Sequence, residues 1–168
     1  MKQARAAART RRVNTVSNAK TLSELLLTDP KKRPPLLDDL VRFIDDEVAA
    51  KSGLSGLAIK GAYKVVAAIK PGIIREAMDS LLDDFVKRVE PIYARFAATG
   101  EQDPRKFADY LSSARTEAAD LLLGVTDDRA KRAKNKTMKG AYDKLRPHAK
   151  KYVEEAVPGA ARVFARHI

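Results

Sequence analysis

Apolar residues in this chain recur at helical spacing, and the clearest pattern surrounds a small-residue segment over residues 51–72. Ala58, Ala62, Val65, Val66 and Ile69 form one stripe, while Lys60 and Lys64 lie a turn apart on another face. Gly53 suits the left-handed cap of a preceding helix, Ser55 suits the N-cap of the next, and Pro71-Gly72 ends it. These signals predict a helix over about 55–70. Its interior glycines Gly56 and Gly61 each cost about 1 kcal/mol against alanine. Close approach of a neighbouring helix is the expected compensation, which places this segment in the middle of a bundle.

Other helices flank it. Thr21-Leu-Ser-Glu24 is a capping box opening a short helix through Leu25, Leu26 and Leu27. After Pro34-Pro35, the residues Leu37, Leu40, Val41, Ile44 and Val48 mark one face of a helix running to about Lys51. Ile74, Met78, Leu81, Leu82, Phe85, Val89, Ile92 and Phe96 predict a long helix over about 73–98, kinked at Pro91. Asp103-Pro104 starts a short helix with Phe107, Tyr110 and Leu111, and Ser112 or Ser113 starts another that ends at Gly124. A polar turn then opens at Thr126. The last large helix carries Met138, Tyr142, Leu145, Ala149, Tyr152, Val153 and Ala156 on one side, and Pro158-Gly159 separates a terminal piece bearing Phe164 and Ile168.

No run alternates with the period of a strand, so the fold class is all-α: a single-domain helical bundle of about 6–8 helices over residues 21–168. At 168 residues and 45% hydrophobic content the chain can bury a core of its own. Having no cysteine, it has neither disulfides nor thiolate metal sites, which suits a reducing compartment, and a cytoplasmic location is expected. The longest apolar run is interrupted by lysines well short of a membrane span.

Two internal echoes stand out. Leu36-Leu-Asp-Asp-Leu-Val-Arg42 returns as Leu81-Leu-Asp-Asp-Phe-Val-Lys87 after 45 residues, and Lys60-Gly-Ala-Tyr63 returns as Lys139-Gly-Ala-Tyr142 after 79. The unequal offsets argue against a repeat array. The motifs Asp45-Asp-Glu-Val48, Lys51-Ser-Gly-Leu-Ser-Gly56, Lys60-Gly-Ala-Tyr63, Pro71-Gly-Ile-Ile74, Glu90-Pro91, Asp109-Tyr-Leu111 and Val125-Thr-Asp-Asp-Arg129 together resemble an uncharacterised family of small bacterial proteins, classed as a domain of unknown function. The similarity spans about residues 22–163. It implies a cytoplasmic bacterial protein with a helical fold, and it implies no activity.

Candidate chemistry is sparse. The pairs Asp38-Asp39 and Asp83-Asp84 would need to face each other to hold a metal, but no Glu-x-x-His accompanies them, and solvated helix faces explain them better. Gly53-Leu-Ser-Gly56 lacks the last glycine of a nucleophile elbow, and Gly56 and Gly61 precede Ala62-Tyr63 where a phosphate loop needs Lys-Ser/Thr. His148 and His167 have no clustered partner in sequence. No catalytic residue, metal ligand or cofactor is assigned.

Charge supplies the functional expectation. Residues 1–20 contain six cations and no acid, so this basic arm provides +6 of the net +11. Residues 136–168 hold eight Lys or Arg against three acids, with Lys136, Lys139, Arg146 and Lys150 near one stripe. Arg5, Arg9, Arg11, Arg12, Lys136, Lys139, Arg146, Lys150 and Lys151 are the candidate anion-binding residues for DNA, RNA or ribosome, without sequence specificity because the few aromatics sit at core spacing and do not indicate stacking on bases. An anionic membrane surface is a lesser variant. A protein–protein adaptor competes with this, marked by an apolar patch left on the Phe107 or Phe164 helices. A carboxylate–metal enzyme ranks last, and the oligomeric state is not readable.

Overall fold

The computed structural model describes residues 19–168, which form seven helices and no strand. The helices are α1 (Leu22–Leu27), α2 (Arg33–Ala50), α3 (Gly53–Ala67), α4 (Ile73–Ala97), α5 (Pro104–Ser113), α6 (Arg115–Arg132) and α7 (Lys136–His167). Local signals set several boundaries. The Thr21 hydroxyl accepts from the Glu24 amide while Glu24 accepts from the Thr21 amide, completing the expected capping box. Asp103 caps α5 by accepting from the Arg105 N–H, with Pro104 at the first helical position.

The longest helix, α7, is the spine. It packs against α2, α3, α5 and α6 along its 32 residues, which span about 48 Å at the usual rise. Here the sequence expectation needs correction, because Pro158-Gly159 does not break the chain and α7 runs through both Pro147 and Pro158. A helix-interior proline costs about 3 kcal/mol. Around Pro158, however, Val157, Ala161, Val163 and Phe164 are all buried, and each large apolar side chain returns about 1.5–3 kcal/mol. Burial wins. Gly159 serves close packing: a Cβ there would overlap the Phe43 ring of α2.

A second correction concerns α6. It continues through Gly124 and Thr126 as one helix, held by the buried Leu123 and Val125 on either side of the glycine. The third concerns α3, which is an outer helix instead of a central one. Gly56 is its only buried residue, and Gly61 faces open space. Ser52, not Ser55, is its N-cap.

Packing is uneven along the bundle. At one end α1, the C-terminal half of α4, α5 and the C-terminal part of α7 enclose Leu22, Leu26, Val86, Ile92, Phe107, Leu111 and Ala161, all at most 2% exposed. Tyr93 meets Phe107 edge-on with ring centroids 5.0 Å apart, and Phe96 lies 5.5 Å from Phe107. Two polar ties close this end. The Glu90 carboxylate accepts from the amides of Leu22 and Ser23, each at 2.9 Å, and the Lys32 ammonium donates to the carbonyls of Leu25 and His167. At the other end, between α2, α3, α4, α6 and α7, Ile44, Val48, Leu81, Phe85, Leu122 and Leu145 are only half-buried beside the buried Leu82 and Leu123.

Candidate functional site

Lys136, Lys139, Arg146, Lys150 and Lys151 all lie on α7, whose N-cap is Asn135, its side chain accepting from the Met138 amide. Their charge is largely committed. Arg146 makes a bidentate pair with Asp127, at 2.7 and 2.8 Å, Lys139 lies 3.3 Å from Asp143, and Lys150 lies 2.9 Å from Asp120. Lys136 and Lys151 are exposed and make no ion pair among the described residues. Arg5, Arg9, Arg11 and Arg12 lie outside the described residues.

Asp127 is the polar node of this region. Besides Arg146 it accepts the Tyr142 hydroxyl at 2.6 Å, and Thr126 Oγ1 lies 3.0 Å from the same hydroxyl. The Arg146 guanidinium first, and the Tyr142 hydrogen bond second, pull the Asp127 carboxyl down to about 2. Desolvation, reinforced by Asp127, raises the Tyr142 hydroxyl above its ordinary value. The other copy of the Lys-Gly-Ala-Tyr motif behaves alike: Tyr63 donates to Asp45 of α2, and burial followed by that bond pushes its pKa up to about 12.

Residues 48–75 and 129–142 contain no Asp or Glu. The first segment carries α3 and the second forms the α6–α7 corner, and α3 packs against α7. Lys60 and Lys64 lie on α3, and Arg129, Lys131, Arg132, Lys134, Lys136 and Lys139 lie in the α6–α7 corner. Some engage acids at its edge, Arg129 with Asp84 and Lys131 with Asp128, both at 3.5 Å and well exposed. Pairs of that kind contribute about 0–1 kcal/mol and compete weakly with a stronger anion.

The aspartate pairs form an ion-pair seam. Arg33 reaches both Asp79 and Asp83 at 2.7 Å, Arg75 reaches Asp38 at 3.0 Å, and Asp39 accepts from His167 and Arg166. The His167 contact chiefly, with Arg166 and Arg42 behind it, holds the Asp39 carboxyl below its ordinary value. Among the described residues no group of three or more His, Asp or Glu comes together in a metal-binding arrangement. His148 is exposed.

The loosely packed end carries a two-lobed apolar cavity that is partly open to solvent. The first lobe, about 300 Å³, lies between α2, α4, α6 and the C-terminal half of α7, bounded by Ile44, Phe85, Leu122 and Val153. The second, also about 300 Å³, lies beneath α3, bounded by Tyr63, Val66, Leu81 and Leu145. Val48, Ile59 and Thr126 border both and mark the waist, the boundary between the two lobes. Residues at core spacing, including Met138, Tyr142, Leu145 and Tyr152, line these lobes and are only half-buried.

No helix among the described residues is long and apolar enough to cross a membrane. Neither the curated proteins nor the solved structures contain a match to this chain. Residues 22–168 match a family of unknown function (DUF6918), which covers most of the chain and leaves the basic arm outside. The capped α1, the α7 spine and the ion-pair seam all fall within that span, and the chain belongs to this family of unknown function.

Proposed function

We propose that this protein is a non-enzymatic binding module for polyanions, DNA, RNA or ribosome, acting without sequence specificity in the bacterial cytoplasm. What supports it is a pair of acid-free segments, residues 48–75 and 129–142, carried by α3 and the α6–α7 corner, which border the same apolar space. Lys60, Lys64, Arg132, Lys134 and Lys136 of these segments, and Lys151 further along α7, make no ion pair among the described residues, and Lys139 is held only by an exposed pair. Arg146 and Lys150, being engaged by Asp127 and Asp120, support binding without leading it. The arm, through Arg5, Arg9, Arg11 and Arg12, adds four more cations. Several cations acting together attract phosphates chiefly by releasing counterions, and they need no stacking aromatics to do so.

One observation favours an anionic membrane surface as a second reading. Leu54, Leu57 and Val65 on α3 are 89%, 66% and 50% exposed, beside Lys64 on a helix with no acid. Apolar side chains among lysines suit the interface of an anionic bilayer. The adaptor alternative loses its marker, since Phe107 and Phe164 are buried.

Titration of the full chain with a generic duplex, a single-stranded oligonucleotide and vesicles of anionic lipid separates these. Binding to both oligonucleotides at low salt supports the first reading, and binding to vesicles alone, weakened by Leu54→Ser with Leu57→Ser, supports the second. Binding to none of the three overturns both.

A further inference from the structure

We propose that the two-lobed cavity is a binding site for one extended apolar chain of the fatty-acyl class, with its carboxylate held at the α3 end. The proposal is independent of polyanion binding. Each lobe is about 300 Å³, so together they fall within the range of roughly 300–1,000 Å³ typical of ligand sites. The lining is almost wholly aliphatic and aromatic, and an apolar cavity of this kind stays dry and takes up apolar ligands in place of water. Two apolar lobes that share a border at Val48, Ile59 and Thr126 suit a long thin molecule better than a compact one.

Charge fixes the direction. The first lobe has Glu47 and Lys51 at its rim, and Lys51 is shared between Glu47 and Glu155 at 3.2 Å each, leaving a local excess of negative charge. The second lobe has Arg129 and Lys139 at its rim and no acid among its lining residues. A carboxylate is therefore attracted to the second lobe, and the methyl end lies in the first. Access follows from α3, which forms the outer wall of the second lobe. Gly53 and Gly72 bracket the segment with φ of 73° and 75°, values that suit glycine at hinge positions.

The test is calorimetric titration of the delipidated full chain with a series of carboxylates from octanoate to palmitate, below their micelle concentrations. One palmitate per chain is expected, with affinity rising roughly fourfold for each added methylene that reaches apolar space. Ile59→Trp, which fills the waist, should weaken palmitate at least about tenfold while sparing octanoate, which needs only one lobe. Val48→Phe at the same waist gives the same result if the tryptophan variant fails to fold, as judged by circular dichroism. Arg129→Ala with Lys139→Ala should weaken palmitate but leave the matching fatty alcohol unchanged. Lysophospholipid of the same chain length, run in parallel, distinguishes a membrane source from free acid. Absence of saturable palmitate binding by folded protein, or palmitate affinity unmoved by both waist variants, overturns the proposal.

Discussion

Tyr142 on α7 donates its hydroxyl to Asp127 on α6 at 2.6 Å, beside the bidentate grip of Arg146 on the same carboxylate. Three side chains from two helices thereby fix how α6 and α7 meet, at the end of the bundle where apolar packing is weakest. Polar geometry takes over there from core packing.

Removing the carboxylate charge should be costly and pH-dependent. Asp127→Asn is expected to destabilise the fold by roughly 1–3 kcal/mol at neutral pH, since Arg146 loses its charged partner. Asp127 has a folded pKa near 2 against an ordinary 3.8, so its contribution is fully present above about pH 4 and is lost as pH falls toward 2. Urea unfolding of both proteins between pH 7 and pH 2 checks this. The gap between them should close across that acidic window, and a gap independent of pH would contradict the assignment.

Glu90 anchors α1, which is too short to be stable alone. Glu90→Gln keeps the shape and one acceptor oxygen but removes the second acceptor shared with Ser23 and the charge facing the helix N-terminus. The expected cost is about 1–2 kcal/mol. Hydrogen exchange of the Leu25 and Leu26 amides should quicken well beyond that of α4 amides.

Gly159→Ala should cost about 1–3 kcal/mol because the new methyl meets the Phe43 ring. Phe43→Leu in the same molecule should recover part of that loss, and a double-mutant cycle by thermal unfolding measures the coupling. Additive losses would mean that the two helices do not approach at this glycine.

The two ends of the bundle should respond differently to truncation. Ile92→Ala, at a fully buried position, is expected to cost about 2–5 kcal/mol, whereas Leu145→Ala, on a cavity wall, should cost less than half as much. Equal losses in denaturant unfolding would mean that the cavity end is as tightly packed as the other.

Much of the architecture was legible where a local rule decides it. The Thr21 capping box, Asp103-Pro104 and the apolar series from Ile74 to Phe96 predicted α1, α5 and α4, because caps and periodicity act within a few residues. Burial of α3 was misjudged because Leu54, Leu57 and Val65 on one side and Ile59, Tyr63 and Val66 on the other give it two apolar faces. Periodicity cannot say which one is covered. Pro158-Gly159 read as a stop, but tertiary burial of Val157 and Ala161 and the approach of Phe43 carry α7 through it. The ion pairs of Arg146 and Lys150 were hidden because Asp127 lies 19 residues from Arg146 and Asp120 lies 30 from Lys150. The cavity was hidden too, since residues lining it have the same spacing as residues filling a core.

Phosphate binding by the acid-free segments and the basic arm, acting as a set of cations, is tested most directly by the affinity of the full chain for a generic duplex across a salt series, repeated with Arg5, Arg9, Arg11 and Arg12 all changed to alanine. A linear fall of log affinity with log salt is expected, with a slope that flattens by roughly 0.9 for each phosphate contact the arm gives up and residual binding from the α6–α7 corner. Weak binding with a flat slope for both proteins would contradict it.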